Sequence, residues 1–298
     1  MTAFAGNSLL CRLALTQTGI DAASFTFIRI LSGAVSLCLI KKLAVDRTAS
    51  PLVECSSYSS PITDHLSRRR TTSFVAGSWT SALALFAYAA AFSFAYNTLA
   101  AGTGALLLFG AVQATMIFWG LHKGERLHAI QLVGLVLAAS GLVVLVFPGL
   151  SAPPIGGSIL MVGAGVAWGI YSLRGKGEKN SVNATAGNFL RAVPFALAVS
   201  VIMVSSARLD RTGTIYAVIS GAITSGLGYV IWYRVLSDSM PVHLGPTGAA
   251  TVQLSVPILA ATGGILLLSE PITLRYLLAS VAVLGGIALV VIQKRSAS

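Results

Sequence analysis

Runs of about twenty apolar residues, separated by short polar corners, fill this chain nearly from end to end, and that pattern limits its fold more than any other feature. A helix crossing a bilayer needs about 20 mostly apolar residues, because every backbone N–H and C=O must be satisfied within the segment. Ten stretches qualify or come close: Ala3 to Leu15, Ala22 to Ile40, Phe74 to Tyr96, Leu99 to Leu121, Ala129 to Phe147, Gly156 to Leu173, Ala186 to Val204, Thr214 to Trp232, Leu244 to Leu268 and Leu274 to Ile292. The first is short. Hydrophobic residues make up 55% of the chain and charged residues 10%, against about 25% charged in soluble domains. The expected fold class is all-α integral membrane with ten transmembrane helices.

The chain also repeats itself. From Gly102 to Pro148 an apolar block, the corner His122-Lys123-Gly124-Glu125-Arg126 and a second apolar block follow one another; from Leu244 to Ile292 the pattern returns around Ser269-Glu270-Pro271. Glu125 precedes Gly141 by the same distance as Glu270 precedes Gly286, and the two copies stand 145 residues apart. Upstream, Arg12 and Arg29 match Arg174 and Arg191 at an offset of 162. The difference of 17 residues is extra chain in the first copy, within the polar, Ser/Pro-rich segment Val45 to Thr72. A fixed self-similarity of this kind governs the whole architecture. It divides the chain into residues 1–150, holding spans one to five and the cytoplasmic loop 43–73, and residues 151–298, holding spans six to ten. Five spans per half make the second half enter the membrane from the opposite side, so the expected architecture is two inverted five-helix repeats, a construction recurrent in secondary transporters. The offset of 162, subtracted from the start of span six at Gly156, places the start of span one upstream of Met1, which leads us to expect a translation start further upstream and roughly seven more apolar residues there.

The net charge of +11 does not point to nucleic acid, because the basic residues lie in short loops between apolar runs rather than along a soluble face. Instead they report orientation, since Lys and Arg are retained on the cytoplasmic side. With the amino terminus inside, cytoplasmic segments carry fourteen of them, including Lys41, Lys42, Arg68, Arg69, Arg70, Lys123, Arg174 and Lys294, against Arg208, Arg211 and Arg275 on the other side. Both termini are expected in the cytoplasm, in a bacterial inner membrane. Cys11, Cys38 and Cys55 form no paired framework for disulfides. Zinc, nucleophile-elbow and dinucleotide motifs are missing from the sequence, so neither an intramembrane enzyme, nor a cofactor, nor a metal site is expected. A non-transporting membrane scaffold or an inactive paralogue is the rival to a transporter, with an intramembrane enzyme a more remote one.

Several residues carry a resemblance: Ala5-Gly6-Asn7-Ser8 leading to Arg12, Phe27-Ile28-Arg29 in span two, Gly124-Glu125 and Ser269-Glu270-Pro271 after spans four and nine, and Ala167-Trp168-Gly169 in span six. On these the chain resembles the drug/metabolite transporter superfamily, in its EamA-like ten-helix branch. The resemblance implies a secondary exporter of a small metabolite, acting by alternating access, with a small-molecule substrate and the lipid bilayer as its partners. It further implies a cavity lined by spans one, three, four, six, eight and nine.

Neutral polar residues inside spans are the first candidates for that cavity: Asn7, Gln113 and Gln253 fall on lining spans, whereas Asn188 on span seven is assigned to packing. Tyr88 lies mid-span in span three, and Trp168 and Tyr171 share one face of span six, placed for apolar walls or for stacking. Arg29 and Arg191 sit inside the starts of spans two and seven; either they reach the interface and bind helix-end carbonyls or lipid phosphate, or they gate the path or hold a substrate carboxylate. Glu125 and Glu270 stand at corners, where a carboxylate stays hydrated and favours a helix start, and are assigned structural or gating roles. Trp79, Tyr96, Trp119, Tyr216, Trp232 and Tyr233 near span ends read as an interfacial belt. Gly165 and Gly169 have the spacing of a close helix contact. The neutral lining favours a zwitterionic or uncharged substrate.

Overall fold

The computed structural model describes residues 1–48, 76–124, 128–149, 152–175, 180–231 and 253–296. Glu125, most of the segment Val45 to Thr72, the start of span nine, Trp232 and Tyr233 lie outside them. The regular structure of the described residues is helical throughout: α1 (Thr2–Gln17), α2 (Ala22–Thr48), α3 (Trp79–Tyr96), α4 (Ala101–His122), α5 (Ala129–Val146), α6 (Ile155–Gly175), α7 (Ser181–Ile202), α8 (Arg211–Ile219, continuing through a π-helical stretch Ser220–Leu227), α9 (Ser255–Leu268) and α10 (Leu274–Ser296). Seven helices among the described residues are long and apolar enough to cross a membrane, and the shorter α1, α9 and the apolar part of α10 accompany them.

Helix starts are set by polar side chains that accept the first free N–H groups, the usual role of Ser, Asn and Asp at such positions. Ser78 accepts from Ser81 N at 3.2 Å ahead of α3, Asn180 from Asn183 N at 3.2 Å ahead of α7, and Asp210 from Gly213 N at 2.8 Å ahead of α8. These caps place α7 and α8 several residues earlier than hydropathy alone suggests, because a capping turn need not be apolar. Asp21 opens α2 by accepting from Ala23 N and Ser24 N, both at 2.9 Å, and from Arg208 N at 2.8 Å. Burial pushes its carboxyl upward, but the hydrogen bonds from Ser24, Arg208 and Ala23 outweigh it and hold the group below its ordinary value of 3.8.

The interior is apolar as in a soluble protein, but the exterior is apolar as well, and a set of polar side chains is enclosed between the helices. α5 has a mean hydropathy of 2.5, yet Val133, Val136, Val143 and Phe147 are exposed, while Asn7, Ser8, Arg29, Ser93, Ser220 and Ser225 are buried. Lipid tails are as apolar as leucine, so helices associate through close packing and hydrogen bonds rather than by burying oily surface. Small residues provide that closeness. A Cβ on Gly165 would stand 2.5 Å from Leu108 O, and one on Gly169 would stand 2.8 Å from Thr115 Cβ, so this spaced pair seats α6 against α4. Gly134, Gly141 and Gly286 do the same for α5 and α10: a Cβ on Gly134 would stand 2.5 Å from Gly286 O, and one on Gly141 would stand 2.8 Å from Ala282 Cβ.

The aromatic belt needs one correction. Trp79 and Trp119 are exposed, but Tyr96 is fully buried and its hydroxyl donates to Ala101 O at 3.2 Å. The chain turns from α3 into α4 immediately after it, and Gly104 leaves the space its ring fills. A tyrosine beside such a corner therefore faces the bundle rather than the headgroups.

Candidate functional site

Polar side chains from four helices converge inside the bundle. Asn7 of α1 donates through Nδ2 to Tyr88 Oη of α3 at 3.3 Å, and its Oδ1 accepts from Ser220 Oγ at 2.7 Å and from Thr224 Oγ1 at 3.3 Å. Arg29 of α2 donates through Nη2 to the same Tyr88 Oη at 3.1 Å and through Nε to Ser225 Oγ at 3.3 Å. Its guanidinium carbon lies 5.0 Å from the centre of the Phe92 ring and 5.3 Å from that of Tyr88, an attraction between cation and ring quadrupole. Asn7 is 3% exposed and Arg29 is 2% exposed.

Ser220, Thr224 and Ser225 all belong to the π-helical stretch of α8, a helix form that tends to mark functional positions. There, Gly221 lets the helix approach α2 so closely that an added Cβ would overlap Ser32 Oγ and Arg29 O. The sequence reading passed over these three hydroxyls. A signal was available, because Ser220-Gly-Ala-Ile-Thr-Ser-Gly226 interrupts span eight with small and polar residues, and such interruptions mark the binding region of transporters.

An aromatic wall closes the other side. Trp168 of α6 has its ring centre 4.9 Å from Tyr88, 5.0 Å from Tyr229 and 5.5 Å from Tyr171, and Phe4 reaches Trp168 at 6.1 Å. Asn7, Tyr88, Trp168 and Tyr171 thus form one cluster. Gln113 on α4 and Gln253 just ahead of α9 are buried, but the described hydrogen bonds join neither to that cluster. Asn188 accepts from Ser78 N at 2.9 Å, a contact that pins α7 to the start of α3.

The two repeat-related arginines differ. Half-buried Arg191 donates through Nη1 to Ala76 O at 2.9 Å and Gly187 O at 3.1 Å, with Trp79 beside its guanidinium. Among the described residues, Arg29 has no such carbonyls: its Nη1 is buried without a hydrogen-bond partner there. The acidic side chains whose positions are described are occupied elsewhere, Asp21 and Asp210 as caps and Glu270 on Arg12. Leaving the donors of a buried charged group unmade costs about 1–3 kcal/mol or more.

A second polar junction lies at the end of α1. Arg12 Nε bonds Glu270 Oε1 at 3.0 Å, and Arg12 Nη1 donates to Tyr96 O at 2.8 Å and Asn97 O at 3.2 Å. The other carboxylate oxygen, Oε2, accepts from Ala101 N at 2.8 Å. Glu270 therefore caps α4 rather than its own following helix, and ties together α1, the α3–α4 corner and the end of α9.

Residues 155–292 match the model of the EamA-like transporter family. An uncharacterized protein of Pseudomonas aeruginosa is 49% identical over 290 residues, covering 97% of this chain and 91% of its own length. An uncharacterized transporter of Archaeoglobus fulgidus is 28% identical over 198 residues, 65% of this chain and 68% of its own. A solved crystal structure of a protein 16% identical superposes with a TM-score of 0.60 over 98% of this chain and 96% of that one, and so shares its fold.

Proposed function

Since this chain belongs to the EamA-like transporter family, within the drug/metabolite transporter superfamily, we propose that it is a secondary transporter, not an enzyme, that exports a small organic molecule by alternating access. Its ten spans form two inverted halves, residues 1–150 and 151–298, that rock about the cluster at Asn7, Tyr88 and Trp168. One observation carries this reading: a fully buried polar and aromatic knot to which α1, α2 and α3 of one half and α6 and α8 of the other each contribute side chains. A site between inverted halves is where transporters of this construction bind their substrates. Such a knot is an expensive way to hold helices, since an interhelical hydrogen bond in a membrane averages about 0.6 kcal/mol.

The glycine contacts between α5 and α10 support the inverted halves. Gly141 meets Ala279 and Val283, while Gly286 meets Gly134 and Ala138. Adding 145 turns Gly134, Ala138 and Gly141 into Ala279, Val283 and Gly286, so each contact has its mirror at the same offset the sequence shows.

In this reading Asn7, Gln113 and Gln253 hydrogen-bond the substrate and Tyr88, Trp168 and Tyr171 wall it, while Arg29, Arg191, Glu125 and Glu270 position or gate. Counterflow of radiolabelled metabolites in proteoliposomes, inner membrane orientation being set by reporter fusions after Lys42 and at Ser298, is the direct test. Gln113→Ala and Gln253→Ala should each reduce flux of a proven substrate while leaving insertion intact; wild-type rates in both variants would remove those two amides from the site.

A further inference from the structure

The Arg29 guanidinium is the least explained group in the molecule. It is 2% exposed, shielded from bulk solvent by the bundle. Its hydrogen bonds, to Tyr88 and Ser225, go to neutral hydroxyls and use Nε and Nη2 only. Nη1 has no partner. A guanidinium keeps its charge in proteins and presents five N–H donors in a planar fork suited to a carboxylate. Arg191, its counterpart in the other half, has backbone carbonyls on its own Nη1. Here the fold has left the equivalent atom open.

We propose that Arg29 anchors the single negative charge of an organic monoanion, a carboxylate whose oxygens take Nη1 and whose flat, apolar body packs against Trp168 and Phe92. This rests on the transport reading for the occupant being a cargo. Charge balance selects the class. One buried cation beside neutral hydroxyls and an amide is neutralised by one negative charge, whereas a dianionic phosphate would leave a second, unpaired charge among aromatic rings. Placement selects the body: the guanidinium lies over Phe92, and Tyr88, which holds Nη2, is in ring contact with Trp168. A neutral lining alone favours an uncharged or zwitterionic cargo; with Arg29 inside the cluster, the required element is the carboxylate.

The test uses the full-length protein purified in detergent, with benzoate and its neutral near-isostere benzamide as probes and sodium chloride as the inorganic anion. Thermal shift and tryptophan fluorescence follow binding. Benzoate should bind roughly tenfold to a hundredfold more tightly than benzamide, the range expected for charge-assisted hydrogen bonds. Arg29→Gln should abolish that preference and Arg29→Lys should retain part of it. Quenching by benzoate should vanish in Trp168→Phe, with a reduced thermal shift remaining because Arg29 is intact. Equal binding of benzoate and benzamide, a thermal shift reproduced by chloride alone, or quenching that survives Trp168→Phe would each overturn the proposal. Where Arg29→Gln does not yield folded protein, the benzoate and benzamide comparison in the wild type and the Trp168→Phe result still decide it. Failure of the two readings is distinguishable: carboxylate binding without flux of any solute would sink transport, whereas flux of neutral solutes with no carboxylate preference would sink the anchor.

Discussion

Glu270→Gln is a sharp test of how the end of α1 is held. The substitution keeps an oxygen for Ala101 N, which lies 2.8 Å from Oε2, and removes the charge facing Arg12 Nε at 3.0 Å. The side chains are 18% and 13% exposed, which places the pair between a surface bridge worth about 0–1 kcal/mol and a buried one, where removal of one partner costs about 3–5 kcal/mol. Arg12 retains Tyr96 O and Asn97 O, so its charge is not stranded, and a loss of about 2 kcal/mol is expected, because the bond from Ala101 N becomes a neutral one and the bond from Arg12 Nε is lost, the amide NH2 being a donor that cannot accept it. Arg12→Met should cost at least as much, because it also frees those two carbonyls. The assay is a double-mutant cycle on unfolding of the purified protein in mixed micelles, read by circular dichroism. The reasoning predicts that the double variant is less destabilised than the two singles combined, by about 1 kcal/mol or more. Additivity within about 0.5 kcal/mol would show that the pair is geometrically close but energetically uncoupled, and would refute it.

Gly286→Ala should destabilise the α5–α10 contact by about 1–3 kcal/mol, the usual cost of overpacking, because its Cβ would press on Gly134 O and Ala138 N; Gly285→Ala, where none of the described residues lies within 4 Å, should be neutral or slightly stabilising in the same unfolding assay. Asp21, whose carboxyl is held below 3.8, contributes stability that is complete above that value and lost as the pH falls below it through the lower folded value. Asp21→Asn should therefore lose less stability than the wild type between pH 7 and pH 3, measured by unfolding across that range, and parallel curves would remove Asp21 from the acid response.

Hydropathy located the helices because a spanning segment has to satisfy its own backbone, a constraint that acts locally and leaves a local trace. It misjudged their starts where Asn180 and Asp210 cap the first turn, since a cap is polar and lies outside the apolar run. Asn7, Tyr88, Trp168 and Tyr171 could be picked out as polar or aromatic residues in mid-span, and the fold gathers them. Arg29 was harder. Its distance from the helix start was readable, but whether it faced lipid headgroups or the bundle was not, because membrane helices are apolar on all sides and carry no contrast between a wet face and a dry one. The Arg12–Glu270 pair spans 258 residues of sequence, and no periodicity within either segment announces it. The interruption of span eight at Ser220-Gly-Ala-Ile-Thr-Ser-Gly226 was legible, whereas its π-helical form and its close seat on α2 were not.

The apolar exterior of α5 changes what a mutation there means. Val136 and Val143 are 61% and 62% exposed, and their surroundings are hydrocarbon whether or not the side chain is trimmed. In a water-soluble protein the aliphatic positions are the fragile ones and the polar ones drift. In this molecule the tolerance is reversed: valine, leucine and isoleucine on the rim can exchange among themselves almost freely, while serines and an asparagine one helix further in are bound to named partners and cannot. Sequence drift among relatives should accordingly concentrate on the greasiest residues of the chain.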